Sequence, residues 1–426
     1  MIGSAKPERV VVINDDAVER GGAAAIALAS AKLLRSRGVA VTFLSGTAPA
    51  DPALAACGVS VAILGGRHLL ERSASSAMAR GLFDPTTKAG LGNWIAANDT
   101  PGTVYHLHNW HKVLSPSVFM ALRRVAPRLV MSTHDFFLAC PNGAYFHYPR
   151  QRECPLTPNS VACLLTACDR RNYGHKLWRS ARHALRHRLF DLTRSPAWIA
   201  AVHETMAPLL TRGAIDPGCI RVLRNPATPW RAARVAAENN RDVFYVGRLD
   251  GDKGVDLLAR AAKRAGARLR LIGDGPLAAA IVRECPQAEL LGWRSRDEIA
   301  ELVAGARLVV SPTVSRETFG LVALEALMSG IPVIVSPHTP FASEIAARQW
   351  GLSCDPHDEA ALADAIAALM RDDLLIRRMS RKAFDEARQL APTPAQWCDQ
   401  LLALYRERLG SGGDEVSAQV GFGGEG

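Results

Sequence analysis

The sequence predicts an α/β chain with two doubly wound domains, each built around a parallel sheet. Short β-branched apolar runs alternate with Ala- and Leu-rich segments of helical length, which is typical of βαβ units. The alternation occurs as two separate series, one before residue 194 and one after residue 241. Two sheets are therefore expected, and ligands of such sheets bind beyond the carboxyl ends of the strands.

Strands and helices follow one another regularly in both series. In the first, a strand and a polar loop lead to Gly21 and Gly22, and a helix at 23–37 ends at Gly38. The first series has predicted strands at 10–13, 39–44, 59–64, 103–107 and 128–132, and a strand at 198–202 begins the transition. The second series has predicted strands at 242–246, 268–272, 289–291, 308–311 and 332–336, with helices at 255–265, 277–284, 296–304 and 319–328.

The predicted domains follow from this order, at 1–194 and 195–390, with a Cys-rich insertion at 140–168. The end of the chain differs in pattern. Residues 359–390 read as helical, and a last helix at 391–409 has Trp397, Leu401, Leu402 and Tyr405 at helical spacing, so we expect it to pack on the N-terminal domain. The Gly-rich tail at 410–426 is predicted to be disordered.

Composition excludes several classes of protein. The 426 residues are 48% hydrophobic and 22% charged, which is ordinary for a globular protein and excludes a fibrous repeat or wholesale disorder. No run approaches the roughly 20 apolar residues that span a bilayer. The N-terminus leads directly into a strand, so no signal peptide is expected. Nine cysteines without such a signal favour a reducing compartment, and we expect a cytoplasmic protein.

The charge is strongly basic and unevenly distributed. Lys and Arg exceed Asp and Glu by 51 − 41 = 10, which favours anionic partners. Residues 170–194 carry eight Lys and Arg against one acid, Asp191, with apolar residues at helical spacing. One interpretation is an amphipathic helix that associates with an anionic membrane surface, at the inner face of the membrane. The alternative is a helix that packs on the sheet and leaves its Arg face solvated.

Two loops of the second series carry residues suited to phosphate. Gly247 and Arg248 follow a strand, and Lys253 precedes a helix, so both cations can face one pocket; Arg offers a planar fork and Lys a point charge. The alternative is two solvated surface cations. The next such loop contains Gly273 and Gly275, which allow close backbone approach to a ligand or simply form a turn.

The strongest pattern is a pair of glutamates eight positions apart. Glu317 follows a strand, Gly320 lies at a helix N-terminus, and Glu325 falls within the first helical turns. Backbone N–H groups at a helix start attract anions, and the carboxylates can accept hydrogen bonds from sugar hydroxyls. A Glu among Leu, Ala and Met needs a partner when it is buried. The alternative is a helix with a favourable N-terminal Glu.

Together these motifs resemble the family 4 retaining glycosyltransferases of GT-B fold, with their E-x7-E motif, over residues 242–336. The resemblance implies two Rossmann-like domains facing a central cleft, with the acceptor side in 1–194 and the nucleotide-sugar donor in 195–390. It implies that Arg248 and Lys253 bind the donor diphosphate, Glu325 the ribose and Glu317 the transferred sugar. Further donor contacts are implied for Gly21, Gly22, Gly247, Gly275, Phe319, Gly320 and Leu321.

The N-terminal half shares a strand-end His-Asp motif with the same family. The resemblance implies that His134 lines the cleft near the transferred sugar, although a lone His after a strand is commonly structural. His106 and His108 lie on one face of a predicted strand and are candidates for the acceptor side. The family needs no metal for its chemistry, and the leaving phosphate can itself accept the acceptor's proton, so no protein nucleophile is expected.

Four cysteines in the insertion are not explained by the resemblance. Four thiolates can bind zinc tetrahedrally, and a segment with little apolar content gains from a structural metal. No C-x-x-C pair is present, and reduced thiols or disulfides are the alternatives. The candidate zinc ligands are Cys140, Cys154, Cys163 and Cys168.

The expected function is transfer of a hexosyl unit from a nucleotide-diphosphate sugar to an acceptor hydroxyl, with retention, in cell-surface polysaccharide or glycolipid synthesis. The expected acceptor is a sugar or a lipid-linked glycan. The alternative is a catalytically silent protein that binds sugar nucleotides. A nucleic-acid binder would leave the donor motifs unexplained, so no nucleic-acid partner is expected. A dehydrogenase is disfavoured because no G-x-G-x-x-G follows the first strand.

Overall fold

The computed structural model describes residues 6–420, with side chains as far as residue 410. The strands are β1 (Arg9–Ala17), β2 (Ala40–Ala50), β3 (Ser60–Ile63), β4 (Thr103–Leu107), β5 (Leu129–Thr133), β6 (Phe146–His147), β7 (Arg152–Glu153), β8 (Trp198–Ala201), β9 (Ile220–Val222), β10 (Asp242–Val246), β11 (Arg268–Ile272), β12 (Glu289–Gly292), β13 (Ala306–Ser311), β14 (Val333–Val335) and β15 (Gly351–Ser353). The helices are α1 (Gly22–Ser36), α2 (Pro52–Ala56), α3 (Ala74–Leu82), α4 (Pro85–Asn98), α5 (Ser117–Leu122), α6 (Val161–Leu165), α7 (Tyr173–Leu189), α8 (Ala207–Arg212), α9 (Val255–Arg264), α10 (Ala278–Glu284), α11 (Arg296–Leu302), α12 (Leu321–Met328), α13 (Ala342–Ala347), α14 (Glu359–Arg371), α15 (Asp373–Glu386) and α16 (Pro394–Val420).

Two parallel sheets organise the described residues. The first has strand order β3-β2-β1-β4-β5-β8-β9 and the second β12-β11-β10-β13-β14-β15. Every pairing in both sheets is parallel, with βα crossovers between strands. Each order reverses beside a central strand, β1 and β10 respectively, and such switch points are where open α/β sheets place their ligands. The prediction of an α/β chain with two doubly wound sheets is confirmed.

The chain divides into two compact units that do not follow the predicted boundaries. The first contains the described residues up to Tyr145, then Pro155–Arg224, and the chain from Pro394; the second contains Phe146–Cys154 and Asn225–Thr393. The first unit reaches Arg224 rather than residue 194, because β8 pairs with β5 and β9 pairs with β8 in the first sheet. The antiparallel hairpin of β6 and β7 belongs to the second unit, although it lies within the predicted Cys-rich insertion.

The last helix completes the core of the first unit. The buried side chains of Trp397, Leu401 and Tyr405 on α16 share one hydrophobic cluster with residues of α1 and the first sheet. Arg37 at the end of α1 forms an ion pair with Asp399. The helix runs to Val420, so residues 410–420 are helical where the sequence predicts disorder. The rest of the predicted tail, 421–426, lies outside the described residues.

Two other helical predictions need revision. The helical segment predicted at 359–390 is divided into α14 and α15 at Asp372, whose carboxylate caps α15 by accepting a hydrogen bond from the Leu375 amide. The basic helix α7 buries part of its charged face: Arg186 is fully buried and Arg182 is 6% exposed. Arg186 donates a hydrogen bond to the carbonyl of Leu138 (2.7 Å).

The charged surface of α7 is therefore smaller than the sequence suggests. The Arg182 guanidinium lies over the Trp110 ring, 5.1 Å from its centroid, because a flat guanidinium packs well on an aromatic face. Membrane association through this helix stays a prediction, and its structural basis is weaker than the sequence pattern implied. None of the helices in residues 6–420 combines the length and apolar character needed to cross a bilayer.

We expect Leu401→Ala to destabilise the first unit, because Leu401 is fully buried between α16 and the first sheet. Truncation of such a side chain leaves a cavity and costs about 2–5 kcal/mol in the free energy of unfolding. Denaturant unfolding monitored by circular dichroism measures this change. The neighbouring exposed Gln400→Ala variant should change stability by less than about 0.5 kcal/mol. Equal effects of the two substitutions would contradict the packing of α16.

Candidate functional site

The loops that follow β10, β11 and β13 meet at the carboxyl edge of the second sheet. A Cβ on Gly273 would lie 1.9 Å from the carbonyl oxygen of Gly247, so the β10 and β11 loops touch through their backbones. A Cβ on Gly254, which has φ +64°, would lie 2.0 Å from the carbonyl oxygen of Pro312 in the loop after β13. Only glycine allows these approaches. Gly273, which the sequence analysis singled out, and Gly254 therefore bring three loops together.

The first functional pair joins two of these loops. Lys253, which precedes α9, forms an ion pair with Glu317 in the loop after β13. The Lys253 side chain is 27% exposed and that of Glu317 is 21% exposed, so the pair is reachable from solvent but partly shielded. Tyr245 lies close by, and burial together with the charge of Glu317 raises its pKa. The structure thus brings the predicted phosphate-binding cation and the predicted sugar-binding carboxylate into direct contact.

Arg248 lies on the same loop but has different partners. Its guanidinium donates to Asp250 (2.8 Å) and lies 3.4 Å from Asp252, and its side chain is 60% exposed. Its backbone is fixed because its carbonyl accepts a hydrogen bond from the Tyr245 hydroxyl (2.7 Å). The exposed guanidinium can therefore reorient toward a ligand, while its backbone stays in place.

Glu325 on α12 is a largely buried carboxylate, as the sequence suggested it would be. Its side chain is 14% exposed, and its Oε1 lies 2.5 Å from Nη1 of Arg296. Burial raises the pKa of Glu325, and the charge of Arg296 and a hydrogen bond from Trp230 oppose that rise. Arg296 is itself held by the carbonyl and the hydroxyl of Thr228, each at 2.7 Å. The carboxylate is thus oriented by a partner that is fixed in turn.

The start of α12 has the form that the sequence predicted. Gly320 is its N-cap in a left-handed conformation, and Leu321 is its first residue. Phe319 is 3% exposed and packs edge-on against Phe341, with ring centroids 5.5 Å apart. Gly275, in the loop after β11, could not carry a Cβ, which would lie 2.3 Å from a backbone carbonyl. Phe319, Gly320 and Leu321 shape the backbone next to Glu317, whereas Gly275 lets its loop approach Leu249.

The predicted residues of the first unit lie at the ends of its central strands. Gly21 is the N-cap of α1 with φ +105°, and a Cβ on Gly21 or Gly22 would meet no atom of the described residues within 4 Å. His134 follows β5, and its Nε2 lies 2.9 Å from Nδ1 of His108. The rings of His106 and His108 have centroids 4.2 Å apart.

The buried environment keeps these histidines neutral. Burial lowers the pKa of His134 to about 4 and that of His106 to about 3. His106 makes hydrogen bonds to the Tyr405 hydroxyl (2.6 Å) and the Ser132 hydroxyl (2.8 Å). Burial also raises the pKa of the neighbouring Asp135 to about 6. A neutral His134 can donate or accept one hydrogen bond, but it does not supply a positive charge near neutral pH.

The cysteine prediction receives no support from the geometry. In residues 6–410, no three His, Cys, Asp or Glu side chains form a group that could hold a metal ion. The thiol of Cys140 donates to Asn142 (3.2 Å), and the ammonium group of Lys176 lies 3.2 Å from the sulfur of Cys163. A cation at that distance opposes the approach of a second cation. The Asn142 amide also contacts the sulfur of Cys168 (3.4 Å), and Cys154 belongs to the second unit.

Three charged residues of the candidate site escaped the sequence analysis. They are Arg296, the partner of Glu325, and Asp250 and Asp252, the partners of Arg248. Asp250 and Asp252 had a detectable signal, because they lie two and four positions after Arg248 in the same loop. Arg296 had none, since it is 29 positions from Glu325 and pairs with it only through the fold.

Comparison with known proteins agrees with this geometry. Residues 227–386 match the family described as "Glycosyl transferases group 1", a range that contains Lys253, Glu317 and Glu325. Glycogen synthase of Mycobacterium tuberculosis is 32% identical over 198 residues, or 43% of this chain and 47% of the relative. The chain therefore matches about half the length of that curated relative.

Solved structures extend the likeness to almost the whole chain. Sucrose-phosphate synthase from Thermosynechococcus elongatus superposes with a TM-score of 0.69 at 17% identity, over 94% of this chain and 98% of that one. Anabaena Alr3699/HepE, crystallised with UDP-glucose, gives a TM-score of 0.64 at 16% identity, over 93% and 99%. The chain has the GT-B fold, as the sequence resemblance predicted.

The buried histidines predict a loss of stability in mild acid. The pKa of His134 is lowered in the folded state, whereas unfolded histidine titrates near 6.5, so the unfolded chain binds the proton first. The stability that neutral His134 contributes is complete above pH 6.5 and is lost between pH 6.5 and 4. We expect His134→Gln to reduce the pH slope of the unfolding free energy in this window, by up to about 1.4 kcal/mol per pH unit.

Denaturant unfolding at pH 7, 6 and 5 measures this slope. The exposed His357→Gln variant is the control and should keep the slope of the parent protein. A slope that is the same in His134→Gln as in the parent would show that the pKa of His134 is not lowered in the folded state.

Proposed function

We propose that the chain is a retaining glycosyltransferase that moves a hexosyl unit from a nucleotide-diphosphate sugar to an acceptor hydroxyl. The observation that carries the proposal is the contact between Lys253 and Glu317, which joins a phosphate-type cation and a sugar-type carboxylate at the carboxyl edge of the second sheet. The family match over residues 227–386 supports a glycosyl transfer reaction. The UDP-glucose complex of the structurally similar Anabaena protein supports a nucleotide sugar as donor.

Lys253 and Arg248 would stabilise the leaving diphosphate. Negative charge develops on the phosphate oxygens as the bond between the anomeric carbon and the diphosphate breaks, and fixed cations lower the energy of that state. Lys253 provides a half-buried point charge. The exposed guanidinium of Arg248 can turn to donate hydrogen bonds to two phosphate oxygens. This chemistry needs no metal ion, and the phosphate can accept the proton of the acceptor hydroxyl.

Glu317 and Glu325 would bind the two ends of the donor. When a diphosphate binds Lys253, Glu317 loses its partner and can accept hydrogen bonds from sugar hydroxyls. Glu325 is oriented by Arg296 and would accept hydrogen bonds from the ribose hydroxyls. The backbone around Phe319, Gly320 and Leu321 would adjoin the sugar or the phosphate. One carboxylate therefore serves the sugar and the other the nucleotide.

The first unit would provide the acceptor side. His134, kept neutral by burial, would hydrogen-bond the transferred sugar, and the glycine pair Gly21 and Gly22 leaves open space at the start of α1. The name of the glycogen synthase relative supports a glycan acceptor. A sugar or a lipid-linked glycan in polysaccharide or glycolipid synthesis is the proposed acceptor class.

The proposal is tested in two stages with purified protein. A thermal-shift screen of uridine- and guanosine-diphosphate hexoses identifies the donor, because a ligand that binds the native state raises the melting temperature. Release of nucleoside diphosphate, with and without glycan acceptors, then measures turnover. Retention is read from the anomeric configuration of the product by NMR. A donor that binds without any turnover would instead indicate a silent sugar-nucleotide-binding protein.

We expect Lys253→Ala to reduce kcat by about 10²-fold or more, since the leaving diphosphate loses a fixed cation in a partly shielded site. Steady-state release of nucleoside diphosphate measures this. Lys263→Ala removes an exposed cation on α9 and should leave kcat unchanged. Full turnover by Lys253→Ala would remove this residue from the proposed site.

Substitutions of the two glutamates are expected to change the affinities for different ligands. Glu325→Gln is expected to lower the affinity for the nucleoside diphosphate and for the complete donor alike, by about tenfold, because a charged hydrogen bond to the ribose is lost. Glu317→Gln is expected to lower only the affinity for the sugar-bearing donor. Isothermal titration calorimetry with both ligands measures the four dissociation constants. Exposed Glu301→Gln on α11 is the control. Equal effects of Glu317→Gln on both ligands would contradict this division.

A further inference from the structure

A short hairpin supplies an acidic side chain to the second unit from a distant part of the sequence. Residues 146–154 interrupt the first unit along the chain but pack with the second. Strands β6 and β7 pair so that Phe146 lies opposite Glu153. Paired residues of an antiparallel ladder share one face, and Phe146 is fully buried. The buried Phe146 therefore fixes the position of Glu153.

Glu153 contacts two residues near Glu317. Its Oε1 lies 3.1 Å from Nδ1 of His338, and its Oε2 forms an ion pair with Arg316. The hydrogen bond with His338 and the charge of Arg316 lower the pKa of Glu153, so its carboxylate is ionised at neutral pH. Among the described residues the buried Nε of Arg316 has no hydrogen-bond partner, so the ion pair with Glu153 offsets part of the cost of burying this guanidinium.

Both contacts act on the backbone that carries Glu317. Arg316 directly precedes Glu317, and the amide of Glu317 donates a hydrogen bond to the carbonyl oxygen of His338 (3.1 Å). Glu153 therefore holds the residue before Glu317 and also the residue whose carbonyl holds the Glu317 amide. Lys253 contacts the Glu317 side chain from the other loop. The position of this carboxylate thus depends on the hairpin as well as on the sheet.

We infer that Glu153 is a positioning residue for the donor sugar, which it serves by fixing the loop of Glu317. This inference rests on the proposed role of Glu317 and adds a residue that does not itself touch the donor. The nucleotide is bound by other residues in that proposal, so loss of Glu153 weakens recognition of the sugar and leaves recognition of the nucleoside diphosphate intact.

A double-mutant cycle tests this inference. Glu153→Gln keeps the size of the side chain and removes its charge. We expect it to lower the affinity for the donor found in the thermal-shift screen by about threefold to tenfold and to leave the affinity for the nucleoside diphosphate unchanged. In a Glu317→Gln background, Glu153→Gln should have no additional effect, because a residue that acts through Glu317 has nothing left to position.

The matched control is Glu359→Gln, which breaks a Glu–Arg ion pair of the same unit with the same side-chain exposure, 39% against 40% for Glu153. It should leave both affinities unchanged. Additive effects of Glu153→Gln and Glu317→Gln, or an equal loss of affinity for donor and nucleoside diphosphate, would overturn the inference while the proposed function stands.

A second measurement needs no ligand. Hydrogen exchange with mass spectrometry reports the protection of the Glu317 amide, which depends on its hydrogen bond to His338. We expect faster exchange in peptides covering residues 315–318 in Glu153→Gln, with no change in Glu359→Gln. Unchanged exchange in Glu153→Gln would overturn the inference whether or not the protein transfers sugar, so failure of the proposed function is distinguishable from failure of this one.

Discussion

The close approach of backbones at the carboxyl edge of the second sheet is the constraint on which the candidate site depends. Gly273 lies against the carbonyl of Gly247, and Gly254 against that of Pro312, with no room for a Cβ in either place. A Cβ at Gly273 or Gly254 would lie 1.9 or 2.0 Å from a carbonyl oxygen, so any other residue would force the loops apart. The contact between Lys253 and Glu317 exists because these glycines let two loops from neighbouring strands share one position. The contact between Lys253 and Glu317 thus depends on Gly254 and Gly273, which have no Cβ to hold the loops apart.

Opposite charges are already paired within this site. Lys253 pairs with Glu317, and Arg296 with Glu325, so the carboxylates are held in place by cations. A half-buried cation that is already paired attracts an anionic ligand less than an isolated one, but it avoids the cost of an unpaired charge. Exchange of one ion pair for another therefore requires a ligand that satisfies both partners. A diphosphate joined to a polyol has that combination, with oxygens for Lys253 and hydroxyls for Glu317.

The sequence predicted the two doubly wound sheets and the loops that carry the candidate residues, for reasons that are local. Strands and helices of a parallel α/β sheet have strong periodicity, and residues such as Arg248 and Gly275 directly follow strands. The sequence could not predict contacts that depend on the packing of distant segments. Arg296 meets Glu325 only through the fold, and β8 joins the first sheet although it lies beyond the predicted boundary. For a related reason, the helical spacing of α7 identifies an apolar and a basic face without showing which of them packs inward.

The hairpin of β6 and β7 illustrates the same limit and its physical origin. The predicted Cys-rich insertion at 140–168, which contains this hairpin, is rich in turn residues and short of apolar ones, so a structural metal was one of its interpretations. In the structure the hairpin gains stability from a buried aromatic side chain, Phe146, and from an ionised carboxylate, Glu153, that meets Arg316 and His338. Such long-range charge pairs depend on geometry rather than on sequence spacing. A segment with few apolar residues can therefore be ordered by its contacts with distant parts of the sequence in its own unit, and its charged residues then act where those contacts place them.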